Sequence, residues 1–353
     1  MAGLRDLTVL LTATGSPGTA ALVRALRENG ERRIRLVGTD MAERAVGRHL
    51  CDSFHLVPGG EDPAYADSVR ELCLREGVDA VLPQSSFDLL GLAEAKDRFD
   101  GVVVLTAGVE AVRRSNDKAA SAVMLERIGV PTPAWRRVRG AAALAGAATE
   151  LGYPERDVCM KPVFGSGSRG FRVLSATVDR RDQLLHAKPG ALGMRLEEVT
   201  ELLERGDDLG PELLVMELAT GGERTIDGFA ARGRVVLGHA KTREAMRCGL
   251  AMYFRTLDDP ALMEIADRVC AELALDHFFN IQLVGDHVIE VNPRISTVVY
   301  QEDLNLPYLG LKHALGESTA EDLAGLTTRV RPTRRSLRYF DQVDWDDDPA
   351  AAE

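Results

Sequence analysis

Short apolar runs that favour β-strands alternate with amphipathic helical stretches over the first third of the chain. The strand-like runs lie at residues 7–13, 34–38, 54–57, 80–83 and 102–106, and the helical stretches lie near 19–29, 64–76 and 86–98. Strands that alternate with helices in this way form parallel sheets covered by helices on both faces. The alternation therefore predicts a parallel, doubly wound α/β domain over residues 1–112.

The turn after the first strand offers a rival interpretation. Gly15 and Gly18 precede the first helix and Asp40 ends the second strand, which loosely imitates a dinucleotide-binding fingerprint. The three-glycine spacing is missing, and Pro17 removes one N–H group that a pyrophosphate would need. The sequence therefore disfavours NAD or NADP as the bound nucleotide.

Length, charge and apolar patterning exclude several classes of protein. The 353 residues, 45% of them hydrophobic, are enough for two or three domains with real cores. A formal net charge of -11 argues against nucleic acid or an anionic membrane as partner, because both require concentrated positive charge. We find no apolar run of about 20 residues and no secretory signal, so we expect a cytoplasmic protein.

The cysteines and lysines carry a further signal. The five cysteines are scattered without metal-ligand spacing, and we expect reduced thiols that lie mostly in the core. Only six of the 43 basic residues are lysines, so a lysine inside a structured motif is expected to serve a local purpose. Lys118, Lys161 and Lys241 lie in such motifs.

The most informative motif is a predicted β-hairpin between residues 280 and 294. Its second strand places Glu290 and Asn292 on one face, and Gln282 lies on the neighbouring strand. Such oxygen ligands suit Mg²⁺ or Mn²⁺ together with substrate phosphates. Arg294 is next on that face, where a guanidinium suits a phosphoryl or carboxylate oxygen. The alternative is a solvated hairpin edge with no ligand.

The loop length decides whether Gln282 joins this site. A three-residue loop over 285–287 opposes Gln282 to Glu290 and places both on one face. A two-residue loop over 285–286 opposes Gln282 to Ile289 instead and turns the glutamine away. We predict the three-residue loop.

A glycine-rich loop over residues 164–170 lies between two predicted strands. Gly165, Gly167 and Ser168 leave little side-chain bulk, so backbone N–H groups can cover a polyphosphate while Lys161 supplies positive charge. The alternative is a plain flexible hairpin tip. If it binds phosphates, we expect the loop to be open without nucleotide and to close when ATP binds.

Four weaker candidates lie outside these motifs. Asn116 or Asp117 caps a helix predicted over 116–128, which places Lys118 in its first turn, where a phosphate would offset the unfavourable helix dipole. Backbone around Glu217 and Ala219, at the end of a buried strand, can pair with an adenine edge, and Glu223 can accept hydrogen bonds from ribose hydroxyls.

Taken in order, these motifs resemble the ATP-grasp superfamily, and most closely its carbamoyl-phosphate-synthase-like branch. The resemblance covers nearly the whole chain, and glutamine as first metal ligand indicates that branch. It implies an α/β protein with an N-terminal Rossmann-like domain at 1–112, a linker helix and mobile α+β lid at 113–216, and a central α+β domain with the metal site at 217–340. An acidic tail at 341–353 follows.

The resemblance also implies roles for the candidate residues. ATP lies between lid and central domain, Lys118 and Lys161 hold phosphates, and the backbone of Glu217 and Ala219 meets adenine. Glu223 binds ribose. Gln282, Glu290 and Asn292 hold Mg²⁺. After Arg294, residues 295–303 replace a stretch that is glycine-rich in many relatives, so the acceptor pocket is expected to be unusual.

The function expected from this resemblance is ATP- and Mg²⁺-dependent ligation of a small carboxylic acid to an amine through an acyl phosphate. Lys241, Arg243 and Arg294 are the candidate catalytic residues, because a cation can grip the substrate carboxylate or the acyl phosphate. Two alternatives stay open: carboxylation or carbamoylation that uses bicarbonate or carbamate, and a non-catalytic ATP sensor. The expected partners are small molecules, and a homodimer is left open.

Overall fold

The computed structural model describes residues 4–165, 167–187, 192–247, 249–296, 304–332 and 334–345. Within these residues the strands form three main sheets, and helices cover them in a mixed α/β architecture. No helix in this part of the chain is long and apolar enough to cross a membrane. The described cysteines Cys51, Cys73, Cys159 and Cys270 are free thiols, and Cys248 lies outside the described residues.

The N-terminal sheet is parallel throughout, with strand order β3-β2-β1-β4-β5. Its strands are β1 Leu7–Leu11, β2 Ile34–Asp40, β3 Ser53–Leu56, β4 Ala80–Leu82 and β5 Val103–Val104, and its helices are α1 Thr19–Arg27, α2 Gly47–Leu50, α3 Tyr65–Glu76 and α4 Leu89–Ala95. On β1, Val9 and Leu10 enter separate apolar clusters, so both faces of the sheet are buried. The predicted doubly wound fold is confirmed.

Two helices, α5 Val109–Asn116 and α6 Lys118–Arg127, connect this sheet to the rest of the chain. The helix predicted over 116–128 is present as α6, and it begins after Asp117, where the backbone is extended (φ -81°, ψ 105°). The Asp117 carboxylate accepts the N–H of Ala120 at 2.8 Å and so caps α6. Asn116 instead ends α5.

The second sheet corresponds to the predicted α+β lid and has strand order β6-β10-β7-β8-β9. Its strands are β6 Trp135–Val138, β7 Val158–Pro162, β8 Arg172–Leu174, β9 Gly193–Met194 and β10 Leu213–Glu217, and its helices are α7 Ala141–Glu150, α8 Arg180–His186 and α9 Leu196–Glu204. The glycine-rich loop joins β7 to β8, as the sequence predicted.

The central sheet is antiparallel, with strand order β15-β14-β11-β12-β13-β16. Its strands are β11 Glu223–Ala231, β12 Arg234–Arg247, β13 Leu250–Leu257, β14 His277–Val284, β15 His287–Asn292 and β16 Arg335–Leu337, and the helices of this part are α10 Pro260–Leu273, α11 Leu306–Ala314 and α12 Ala320–Ala324. The helix α10 begins where Asp259 caps the N–H of Leu262, with Pro260 in the first turn.

The domain boundaries at 112, 216 and 340 stay a prediction. The acidic tail falls mostly outside the described residues, and within them Trp345 stacks on His49 with ring centroids 4.0 Å apart.

Candidate active site

The two faces of the central sheet differ sharply in chemistry. Ile226, Ile281 and Val291 pack with α10 on one face. Directly opposed residues of antiparallel strands share a face, so the strand register defines what lies on the other. That face carries two rows of polar side chains, Glu290–Gln282–Thr225–Lys241 and Asn292–Asn280–Asp227–His239.

A β-bulge in the hairpin places Gln282 beside Glu290. Gln282 opposes Glu290 as predicted, but Leu283 opposes Val288, so Ile289 is the extra residue of a bulge. The predicted three-residue loop is wrong, because β14 ends at Val284 and β15 begins at His287. The bulge lets Val288 and Val291, three apart, both reach the core, since they are 0% and 1% exposed.

The two motif lysines converge on this hairpin and on the glycine-rich loop. The Nζ of Lys161 donates to the carbonyl of Ile289, the bulge residue, at 3.0 Å, and Lys118 Nζ donates to the carbonyl of Gly165 at 2.5 Å. Burial lowers the pKa of Lys118, attraction to Glu290 opposes that shift, and repulsion from Lys161 adds to it. Two cations and one carboxylate are therefore brought into electrostatic reach.

A cavity of about 790 Å³ opens beside these groups, between the hairpin, the start of α6 and the N-terminal sheet. Residues that line it include Ser86, Asn116, Lys118, Gly165, Glu290 and Asn292. A second gap, lined by Leu214, Met216 and Val288, has a volume of only about 10 Å³. A gap of that size holds about one water molecule, so a purine ring could enter only if the lid moved.

Lys241 is placed differently from the prediction. It is 2% exposed, forms an ion pair with Asp227 and lies 5.1 Å from the centre of the Phe254 ring. Burial would raise the pKa of Asp227, but attraction to Lys241 lowers it below its ordinary value. The predicted grip of Lys241 on a substrate carboxylate is therefore replaced by its pairing with a buried carboxylate.

Arg243 and Glu223, predicted for separate roles, pair with each other. The Nε of Arg243 lies 3.3 Å from Glu223 Oε2, and its Nη2 donates to the carbonyl of Gly249 at 2.9 Å. The two residues are directly opposed on β11 and β12. A ribose contact by Glu223 would therefore share the carboxylate with Arg243.

Arg294 joins the hairpin to the N-terminal sheet. Its Nε donates to Ser86 Oγ at 3.0 Å and its Nη2 to Asn292 Oδ1 at 3.4 Å. Burial lowers the pKa of Arg294, and attraction to Glu290 opposes that shift. The guanidinium therefore lies next to the predicted metal ligands and close to the large cavity.

The predicted adenine contacts are only partly available. The N–H of Glu217 donates to the carbonyl of Ala134 at 2.9 Å, and its side chain lies 3.3 Å from Arg156. Only the carbonyl of Glu217 is thus left for a base edge, together with the half-buried Ala219 in the following loop.

Several residues of the glycine-rich loop have positive φ. Gly165 and Gly167 have φ values of +134° and +67°, and Ser168 has a φ of +58°. The guanidinium of Arg169 lies 5.9 Å from the centre of the Phe87 ring, which brings the loop against the N-terminal part. Ser166 lies outside the described residues.

The turn after β1, which is the rival dinucleotide site, uses its polar groups for its own hydrogen bonds. Asp40 Oδ2 accepts the N–H of Gly15 at 2.7 Å, and the N–H of Thr14 donates to the carbonyl of Thr39 at 3.0 Å. The carboxylate that would meet a ribose is therefore occupied by the turn itself.

Sequence reasoning missed Asp227 and the role of Asn280. Asn280 donates to Asp227 Oδ1 at 2.8 Å, and its own oxygen faces the amides of Gln282 and Asn292 at 3.1 and 3.4 Å. The signal was available, because Glu223, Thr225 and Asp227 alternate along β11 with the two-residue period of one strand face.

The donor set suits a hard divalent cation. The described residues hold no cluster of three or more His, Cys, Asp or Glu side chains that could bind a metal. Gln282, Glu290 and Asn292 supply one carboxylate and two amide oxygens, all on one face of the sheet. Such a set fits Mg²⁺ or Mn²⁺ that takes its remaining ligands from substrate phosphates and water.

Comparisons with known proteins give two family matches. The family described as "PylC-like, N-terminal domain" matches residues 9–105, and the family described as "ATP-grasp in the biosynthetic pathway with Ter operon" matches residues 210–334. The carbamoyl-phosphate synthase of Methanobrevibacter smithii is 25% identical over 280 residues, which span 76% of this chain and 69% of that protein. The carbamoyl phosphate synthase large chain of Methanothermobacter thermautotrophicus is also 25% identical, and the match spans 77% of this chain but only 25% of that one.

Solved structures show the same fold. The L-amino acid ligase of Bacillus licheniformis has a TM-score of 0.62 at 16% identity, covering 95% of this chain and 79% of that one. The biotin carboxylase domain of the Hydrogenobacter thermophilus 2-oxoglutarate carboxylase, solved with MgADP, ADP and bicarbonate, has a TM-score of 0.62 at 19% identity, covering 90% and 71%. The resemblance of this chain to the ATP-grasp superfamily, and to its carbamoyl-phosphate-synthase-like branch, is therefore confirmed.

Proposed function

We propose that this protein is an ATP- and Mg²⁺-dependent ligase that activates a small carboxylic acid as an acyl phosphate and couples it to an amine. One observation carries the proposal: the bulge sets Gln282 and Glu290 side by side, within electrostatic reach of Lys118 and Lys161. Oxygen ligands and fixed cations at one place are what phosphoryl transfer needs.

The nucleotide would lie between the lid and the central sheet. To reach its phosphates, Lys118 and Lys161 would exchange their bonds to the carbonyls of Gly165 and Ile289 for phosphate oxygens. Both lysines already point at the glycine-rich loop or the hairpin, so this exchange requires a movement of the lid rather than refolding. A moving lid is typical of enzymes that protect a reactive intermediate from water.

The chemistry has two steps. A carboxylate oxygen of the acid attacks the γ-phosphorus of ATP and ADP leaves, which gives an acyl phosphate. The amine nitrogen then attacks the acyl carbon, phosphate leaves, and the nitrogen loses a proton. Bound Mg²⁺, held by Gln282, Glu290 and Asn292, would offset the charge of the transferred phosphoryl group.

Arg294 is the residue best placed to hold the acid. Its guanidinium is fixed between Ser86 and Asn292, close to the cavity of about 790 Å³. A planar guanidinium can bind a carboxylate through two parallel hydrogen bonds, which positions the oxygen for attack. The cavity is large enough for a small acid together with an amine.

A second candidate function is the use of bicarbonate or carbamate as the acid. The names of the two carbamoyl-phosphate synthases favour it, and so does the bicarbonate in the Hydrogenobacter structure. The match covers only a quarter of the length of one of these relatives, so the activity of that whole protein is only a proposal for this chain. A homodimer, which light scattering would detect, is compatible with either function.

ADP release tests the proposal directly. The purified protein with ATP and Mg²⁺ is screened against small acids, amino acids and bicarbonate, each with and without ammonia or amines, and products are identified by mass. We expect ADP release that depends on one acid and one amine, and a product mass equal to their sum minus water. Release that depends on bicarbonate alone would favour the second function, and no release with any acid would leave the nucleotide-sensor alternative.

A further inference from the structure

The polar face of the central sheet contains a chain of side chains whose orientation is forced. It begins at the ion pair of Lys241 with Asp227, which is 1% exposed. An ionised carboxylate only accepts hydrogen bonds. The side-chain amide of Asn280, 2.8 Å from Asp227 Oδ1, must therefore turn its NH₂ group toward Asp227, and the same group also donates to the hydroxyl of Thr225.

The orientation of Asn280 in turn fixes two further amides. With its NH₂ group at Asp227, Asn280 presents its oxygen to Gln282 and Asn292. That oxygen accepts from Gln282 Nε2 at 3.1 Å and from Asn292 Nδ2 at 3.4 Å. Both of these residues therefore point their NH₂ groups at Asn280 and turn their oxygens away from it; the oxygen of Asn292 also accepts from Nη2 of Arg294 at 3.4 Å and keeps a second lone pair.

We propose that Asp227, held by Lys241, is a positioning residue that orients three side-chain amides so that Gln282 and Asn292 present oxygens, not NH₂ groups, to a divalent cation. The proposal rests on the proposed function, since it assigns a task within the same metal site. Glu290 needs no such control, because both of its carboxylate oxygens are acceptors.

This role explains a feature that stability alone does not. A buried ion pair rarely adds stability relative to apolar residues of similar volume, because both charges lose their hydration. An amide, in contrast, fits its site almost equally well after a half-turn, so its orientation must be set by its neighbours. Groups that orient metal ligands in this way commonly change metal affinity when they are removed.

The experiment must remove the charge of Asp227 without leaving Lys241 unpaired. The double variant Asp227→Asn/Lys241→Gln does so at similar side-chain volume and allows Asn280 to turn over. The quantity measured is the affinity for Mn²⁺ in the presence of saturating ADP, by electron paramagnetic resonance of free Mn²⁺. We expect it to weaken roughly tenfold or more, with ADP binding in the absence of metal unchanged.

A second substitution tests orientation itself. In the wild-type background, Gln282→Glu places a carboxylate 3.1 Å from the oxygen of Asn280, which cannot turn away because Asp227 holds its NH₂ group. In the double variant the NH₂ group of Asn280 keeps only its hydrogen bond to the Thr225 hydroxyl, which can rotate, so Asn280 can turn and donate to this glutamate. The added negative charge attracts Mn²⁺ equally in both backgrounds, so we expect Gln282→Glu to raise Mn²⁺ affinity at least about fivefold more in the double variant.

Two controls complete the design. Thr256→Val removes a hydroxyl that is 1% exposed and lies on β13, directly opposite Lys241 but outside the chain of amides, and it should leave Mn²⁺ affinity unchanged. Glu290→Ala removes a metal ligand and should abolish Mn²⁺ binding. Suppose that Glu290→Ala does not bind Mn²⁺ but the double variant binds Mn²⁺ like the wild type, or that Gln282→Glu raises Mn²⁺ affinity equally in both backgrounds. Either result overturns the positioning role and leaves the metal site standing. If Glu290→Ala binds Mn²⁺ normally, the metal site and the positioning role fall together.

Discussion

Asp88 beside the N-terminal sheet and Asp227 in the central sheet are both almost fully buried, but their charge is controlled differently. Asp88 accepts a hydrogen bond from the hydroxyl of Thr12 at 2.5 Å, and burial raises its pKa to about 6. Asp227 lies against Lys241, whose attraction outweighs burial and lowers its pKa. A contacting cation therefore decides whether burial neutralises a carboxylate or preserves its charge.

The two regions also differ in the polar groups that they leave available to a ligand. In the N-terminal sheet, the turn after β1 uses its own N–H groups, as Gly15 does with Asp40. In the central sheet, Asp227 accepts from the amide of Asn280 and the oxygen of Asn280 accepts from Gln282, which leaves the oxygen of Gln282 for a ligand. We therefore expect nucleotide and metal at the central sheet.

The largest expected effect is on catalysis at that sheet. Glu290→Ala should lower ADP release by roughly 10³-fold or more with the fold intact, because it removes the one carboxylate of the metal site. Asp286→Ala is the matched control, since this carboxylate lies at the tip of the same hairpin with its side chain 91% exposed. Steady-state rates at ordinary Mg²⁺ decide the matter, and near wild-type turnover in Glu290→Ala would mean that the hairpin is merely a solvated edge.

The second effect is on stability and tests the ion pair. Lys241→Met should lower the free energy of unfolding by roughly 3–5 kcal/mol, because Asp227 is left buried without its cation. The double variant Lys241→Met/Asp227→Leu should recover most of that loss. Urea unfolding followed by circular dichroism measures both. Equal stability of Lys241→Met and the wild type would show that Asp227 does not depend on Lys241 for its charge.

The third effect tests which of the two sheets binds the nucleotide. ATP with Mg²⁺ at 100 times its dissociation constant should stabilise the protein by about 2.7 kcal/mol through mass action, whereas NAD should not stabilise it. Thermal unfolding with each nucleotide provides the measurement. A clear rise in Tm with NAD and none with ATP would move the nucleotide site to the turn after β1.

Much of this arrangement could be predicted from sequence, because it depends on local patterns. The alternation of strands and helices in the N-terminal part was enough to predict its parallel sheet. The Gln282–Glu290 pairing was predicted correctly, but from the wrong loop length. A two-residue loop with a bulge gives the same pairing, and the strand register and the burial of both Val288 and Val291 reveal the bulge.

The charged residues were harder to place because their partners are distant in sequence. Lys241 reads as a cation in a charged strand, and whether it meets a substrate or Asp227 depends on which residues oppose each other across β11 and β12. The same holds for Arg243 and Glu223, which the register brings face to face. Strand composition does not determine that register, so these pairings required the structure.

The smallest effect concerns Asp88 and reverses the sign of the Lys241 result. The pKa of Asp88 is about 6 in the folded protein, above the ordinary value of 3.8, so folding is favoured while the group is protonated. This stability is fully present below about pH 4 and is lost as the pH rises through 6. Asp88→Asn stays neutral, so it should match the wild type near pH 4 and exceed it by about 1–3 kcal/mol at pH 8. Asp286→Asn, at the exposed hairpin tip, should show no such pH-dependent gain, and urea unfolding at both pH values measures the difference.

Burial is the first cause of the raised pKa of Asp88, repulsion from Asp40 adds to it, and attraction to Arg294 opposes it. A loss of stability in Asp88→Asn at pH 8 would mean that Asp88, like Asp227, is held in its charged form by a cation.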